Sequence, residues 1–194
     1  AAVADAISRG DLCADIRVVI SNNPEANGIG LALARGLRVE VVDRGDGRSR
    51  DARHKEIVDI LRRADTELVV CAGFNEILTS AVTAAYPDRI INTHPSLLPS
   101  FGGGLHAQRD ALEFGAKVTG CTVHFVTADL DNGPILVQRA VNVLEDDTEE
   151  SLAARVLVEE HRALPEAIGL IAAGRVSIDG RRVRIRPEPV PTAS

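Results

Sequence analysis

Between residues 16 and 114, short apolar runs alternate with stretches patterned for helices, and that alternation leaves few architectures open. Residues 16–20, 38–42, 67–72 and 89–92 read as buried strands rich in Val and Ile. Residues 28–35, 51–64, 77–85 and 105–114 read as helices; in the second of these, Ile57, Val58, Ile60 and Leu61 line one face. Strand after helix after strand predicts an α/β fold: a doubly wound, mostly parallel sheet with helices on both faces.

The remainder of the chain extends this plan. Residues 1–9 read as the end of a helix stopped at Gly10. Residues 120–127 and 135–143 are further strands, and 149–173 is a long helix, expected to bend or break near Pro165. Residues 176–185 form a small C-terminal hairpin turned at Asp179-Gly180. A chain of 194 residues suits one domain, expected to span 1–194.

Doubly wound domains normally begin with a central strand whose following turn starts a helix and binds phosphate. This sequence opens in a helix, so an N-terminally truncated domain is expected.

Composition narrows the function. The net charge is −6, without the basic excess of a nucleic-acid binder. The basic cluster at 175–186 suits a solvated hairpin edge better than an anion site. Cys13, Cys71 and Cys121 are odd in number and lack any CxxC pairing. They predict neither a metal site nor a disulfide framework, but a reducing, cytoplasmic setting. No apolar run approaches the roughly 20 residues needed to cross a bilayer, and the opening residues carry no signal-peptide pattern.

In doubly wound sheets ligands bind beyond the carboxyl ends of the strands, which points to 73–78, 92–104 and 128–134. Asn92 and His94, two apart at a strand end, project to one side while the chain stays extended. An amide donor beside an imidazole suits a carbonyl whose oxygen gains negative charge. Asp131, in the turn Asp131-Asn132-Gly133-Pro134, could orient His94. Taken singly, each feature also fits ordinary capping or turn chemistry. Gly28-x-Gly30 follows Pro24 and lacks the third glycine of a dinucleotide motif. Ser96 lacks a nucleophile elbow.

Taken together, three segments resemble the phosphoribosylglycinamide formyltransferase family of purine biosynthesis. They are Ala72-Gly73-Phe74, the run from Ile91 through Asn92-Thr93-His94-Pro95-Ser96 to Pro99, and Thr122 through His124-Phe125-Val126 to Asp131-Asn132-Gly133-Pro134. The resemblance runs from about residue 16 to residue 174 and implies a Rossmann-like formyltransferase domain. It implies transfer of a formyl group from 10-formyltetrahydrofolate, the cosubstrate, to the amine of glycinamide ribonucleotide, with no metal.

By the same resemblance Asn92, His94 and Asp131 are catalytic and His124 supports them. The folate would meet Arg50, Asn92 and the backbone of Asn75, Glu76, Ile77 and Leu78. Glu160 would hold the ribose of the nucleotide substrate. The family commonly has Met-Arg where this chain has Asn75-Glu76, which changes the local charge. The partners implied are small molecules alone, without nucleic acid or membrane, for a monomer or homodimer. Two other readings stay open: a formyltetrahydrofolate deformylase, which gives the formyl group to water, and a non-catalytic folate- or nucleotide-binding remnant.

Overall fold

A computed structural model describes residues 1–187; the expected domain of 1–194 extends past them. Six helices and eight strands occur among the described residues. In chain order they are α1 Ala2–Ser8, β1 Val19–Ser21, α2 Asn27–Leu33, β2 Val39–Val41, α3 Arg50–Arg63, β3 Val69–Cys71 and α4 Ser80–Ala85. They continue as β4 Ile90–His94, α5 Ala107–Phe114, β5 Val118–Phe125, β6 Ile135–Asn142, α6 Glu149–Ala172, β7 Val176–Asp179 and β8 Arg182–Ile185.

The sheet is mixed. β1 pairs with β2 and β3 with β4, both in parallel. β5 runs antiparallel to β4, and β6 antiparallel to β5. Strand–helix–strand crossovers build the parallel pairs; the chain also passes through α5 between β4 and β5 but returns antiparallel, and the loop after β5 turns directly back into β6. Hydrogen bonding joins β3–β4–β5–β6 into one ladder and β1–β2 into another. Helix α3 spans both, because Ile57, Ile60 and Leu61 form one cluster with Val18 and Ile20 on one side and Val69 on the other.

Helices cover two faces, as a doubly wound fold requires. On one face, Leu152, Val156, Ala163, Leu164, Ala167 and Ile168 of α6 pack with Ile91, Cys121, Val123 and Phe125. On the other, Val58 of α3 and Val82 of α4 pack with Cys71 and Ile90. Ile90 and Ile91 therefore serve opposite cores, as neighbours in a strand must. Each such side chain stabilises the fold by about 1.5–3 kcal/mol through burial.

Helix α6 starts at a reciprocal cap: Thr148 Oγ1 accepts from Ser151 N–H, and Ser151 Oγ accepts from Thr148 N–H. It runs unbroken through Pro165. The proline removes only the donor that the His161 carbonyl would have accepted, and the buried stripe before and after it holds the helix. Helix α4 begins at Ser80, three residues later than its sequence pattern suggests, because residues 73–79 are drawn against α3.

Candidate active site

The site grows from the alternation of β4. Asn92 and His94 point to one face, where antiparallel pairing sets Asn92 opposite His124 and His94 opposite Thr122. Thr93 points to the other face, where its hydroxyl donates to Glu160 Oε1 of α6 at 3.2 Å.

His124 is buried and its Nδ1–H donates to the Phe125 carbonyl at 3.0 Å. Its Nε2 is thereby left as an acceptor, and Asn92 Nδ2 lies 3.4 Å from it. Burial lowers the His124 pKa, against the pull of the Phe125 carbonyl and of Asp131, and keeps the ring neutral. The contact sets the orientation of the Asn92 amide and leaves its second N–H for a ligand.

His94 is buried between two acceptors. Its Nε2 donates to the Phe101 carbonyl at 3.0 Å, and its Nδ1 lies 3.4 Å from Asp131 Oδ2. A ring protonated on both nitrogens satisfies both neighbours. Asp131 also accepts from Gly103 N–H at 2.9 Å, and its Oδ1 lies 3.7 Å from His124 Nε2. One carboxylate thus stands among both imidazoles, with Asn92 reached through His124.

The loops that deliver these groups are fastened from below. Buried Thr122 donates to the Ser96 carbonyl at 2.7 Å and accepts from Leu98 N–H at 3.0 Å. Gln138 Nε2 donates to the Leu98 carbonyl and to Thr122 Oγ1. Phe101 and Asp131 adopt positive φ, at 54° and 49°, an uncommon backbone for residues other than glycine. The Phe101 ring sits edge-on to Phe114, 5.9 Å between centroids. A Cβ on Gly133 would fall 1.7 Å from the Phe125 carbonyl oxygen, the acceptor used by His124, so only glycine fits there.

The other sequence-predicted residues surround this cluster. Asn75, Glu76, Ile77 and Leu78 lie in the loop after β3, whose last residue, Cys71, pairs with Asn92. Glu76 is ion-paired with Arg53 of α3 at 2.5 Å. Arg50 is the exposed first residue of α3; among the described residues no hydrogen bond or ion pair joins it to Asn92, His94 or Asp131. Burial raises the Glu160 pKa, opposed by the Thr93 hydroxyl. Burial alone pushes the Cys71 thiol up to about 12, which makes it an inert core residue.

Thr93, Phe101, Thr122 and Gln138 were not singled out from the sequence, nor was Arg181. Arg181 Nη1 donates from the hairpin turn to the Asn132 carbonyl and side-chain oxygens at 2.9 and 3.0 Å. Thr93 alone had a usable signal, the odd position in an alternating strand. Among the described residues no group of three His, Cys, Asp or Glu has the geometry to hold a metal ion, and no helix is long and apolar enough to cross a membrane.

The formyl transferase family model matches residues 1–168. Phosphoribosylglycinamide formyltransferase of Escherichia coli is 36% identical, over 94% of this chain and 89% of that protein. The trifunctional purine biosynthetic protein adenosine-3 of Drosophila melanogaster is 41% identical over 85% of this chain, which spans only 12% of that longer protein. Among solved structures, glycinamide ribonucleotide transformylase 1 from Symbiobacterium toebii superposes with a TM-score of 0.93 at 47% identity, covering 96% of this chain and 87% of that one.

Proposed function

This chain belongs to the formyl transferase family, and from that premise we propose that it moves a formyl group from 10-formyltetrahydrofolate to the glycine amine of glycinamide ribonucleotide. The observation that carries the reading is the grouping of Asn92, His124, Asp131 and His94 at the end of β4, each within 3.7 Å of the next.

In this proposal the amine nitrogen bonds to the formyl carbon and the carbonyl oxygen gains the negative charge. Asn92 donates its uncommitted amide N–H to that oxygen, and His94 donates beside it. The amine proton leaves toward Asp131 through water, and His94 returns a proton to the departing folate nitrogen. Asp131, 3.4 Å from His94 Nδ1, orients the ring for this. His124 stays neutral and orients Asn92.

The donor fits the loop after β3. Among the described residues, none of the turn and loop backbone hydrogen bonds involves residues 73–78. Those peptide groups are open to a ring that carries donors and acceptors on its edge, such as a pterin. Arg50 suits the folate carboxylate. Glu160, anchored by Thr93 on the opposite face of β4, suits ribose hydroxyls. The cytoplasm is the compartment we favour, since Cys71 and Cys121 are buried free thiols.

The test supplies the purified chain with both substrates and measures formylated product and free formate in parallel. Product without excess formate is the expected result. Formate released without product would support the hydrolase reading, and neither one would reject transfer and hydrolysis together.

A further inference from the structure

The N-terminal turn of α3 is unusual for what it buries. The inward stripe of the helix runs Arg53, His54, Ile57, Val58, Ile60, Leu61, so two polar side chains occupy core-facing positions. His54 is fully buried and Arg53 is 7% exposed. A cation in that setting needs a partner, since an uncompensated buried charge is strongly destabilising.

Glu76 meets that need from the loop after β3. Its Oε1 accepts from Arg53 Nη2 at 2.5 Å, and its Oε2 accepts from Asn22 Nδ2 at 3.4 Å. Arg53 Nη1 in turn donates to the Arg48 carbonyl at 2.6 Å. His54 Nδ1 accepts Thr79 N–H at 3.1 Å, so its proton sits on Nε2, 3.7 Å from Glu76 Oε2. Burial opposes the Glu76 charge, but the bonds from Arg53 and Asn22 outweigh it and hold the carboxyl below its ordinary range.

Segment 73–78 has no backbone tie of its own among the turn and loop hydrogen bonds of the described residues. Phe74 and Leu78 pack into the apolar layer beneath, and Glu76 in the middle and Thr79 just past the end are the polar fastenings. We propose that Glu76 is a positioning residue. Its carboxylate, clamped by Arg53 and Asn22, holds the 73–78 backbone ready for the folate ring and sets folate affinity rather than the rate of the chemical step.

This rests on the folate-binding reading of that loop and adds to it a specific clamp. A loop already ordered binds without the entropic cost of ordering it. The Glu76 side chain itself touches no folate atom in this account; its effect travels through the backbone of its neighbours.

The test compares wild type, Glu76→Gln, the double variant Arg53→Met/Glu76→Gln, and the exchanged pair Arg53→Glu/Glu76→Arg. The double variant removes both charges, so it keeps a folded chain available if Glu76→Gln alone fails to fold. Steady-state kinetics gives KM for each substrate and kcat; calorimetry gives the Kd of tetrahydrofolate.

Both charge-removing variants are expected to raise folate KM and Kd by about tenfold, leaving kcat and the nucleotide KM within about twofold. The exchanged pair should recover most of the folate affinity. An unchanged folate Kd in the folded double variant overturns the clamp. So does a parallel loss of kcat and both KM values, the mark of general damage. A wild-type chain that binds folate without transferring formyl rejects the activity and leaves calorimetry to decide the clamp; one that binds no folate rejects both.

Discussion

His94 Nδ1 and Asp131 Oδ2 stand 3.4 Å apart, although one residue ends β4 and the other lies in the turn between β5 and β6. Antiparallel pairing sets His94 beside Thr122 and the end of β5 beside Ile91, so the contact is closed by the 126–134 loop reaching back along β4, where Gly103 N–H holds the Asp131 carboxylate.

Replacing Asp131 with Asn keeps the shape and removes the charge. Turnover should fall by about 10²–10⁴-fold, with folate Kd changed no more than about threefold. Single-turnover kinetics beside calorimetry reads both. Turnover near the wild-type value would remove Asp131 from the proposed chemistry.

Gly133→Ala should be far worse than a surface substitution. Its Cβ would collide with the Phe125 carbonyl oxygen, so either that backbone or the 131–134 turn must move. The expected cost is about 1–3 kcal/mol of overpacking, seen as a lower urea midpoint. Because Phe125 also anchors His124, activity should drop by more than the loss of folded protein accounts for.

Arg181→Ala tests the hairpin tie to Asn132. The contact is exposed, so stability should change by about 0.5 kcal/mol or less. Turnover should fall about two- to fivefold, because the turn carrying Asp131 loses its brace. Urea unfolding and kcat, measured on one preparation, separate the two effects. A kcat equal to wild type would make the tie ornamental.

Folding stability should rise from pH 5 to pH 7. Burial lowers the pKa of His124, and of His54 against the pull of Glu76. Between those lowered values and about 6.5, the value of a free histidine, the unfolded chain binds more protons than the folded one. Stability therefore climbs with pH across that window and levels off above it. Glu160 acts oppositely at the acid end, since burial raises its pKa and favours the folded state only while it stays protonated. Urea midpoints from pH 5 to 8 should show the climb, and His124→Gln should flatten part of it. A midpoint highest at pH 5 would contradict the assignment of two neutral buried histidines.

Much of this was legible in the chain. Periodicity placed each strand and helix to within a few residues, and the rule of strand ends pointed to the segments holding Asn92, His94 and Asp131. Local patterns gave no warning of interactions set by tertiary contact. The Thr122–Gln138 fastening joins residues unremarkable in their own windows. The burial of Arg53 and His54 has no local signal, because the Glu76 that permits it lies more than 20 residues on. The basic hairpin read as solvent-facing charge, and Arg184 and Arg186 do bond within it; Arg181 leaves it for Asn132.

The pleat of β4 has a further consequence. In the proposed reaction consecutive residues of that strand serve different parts of the chemistry, the acyl group on one side and the sugar on the other. Point substitutions on either side can accordingly be selected one at a time, as separable traits. Loss or gain of a single codon between Ile90 and His94 would exchange the two sides wholesale, presenting Thr93 to the acyl group and the imidazole to α6. This stretch should tolerate misspelling far better than miscounting.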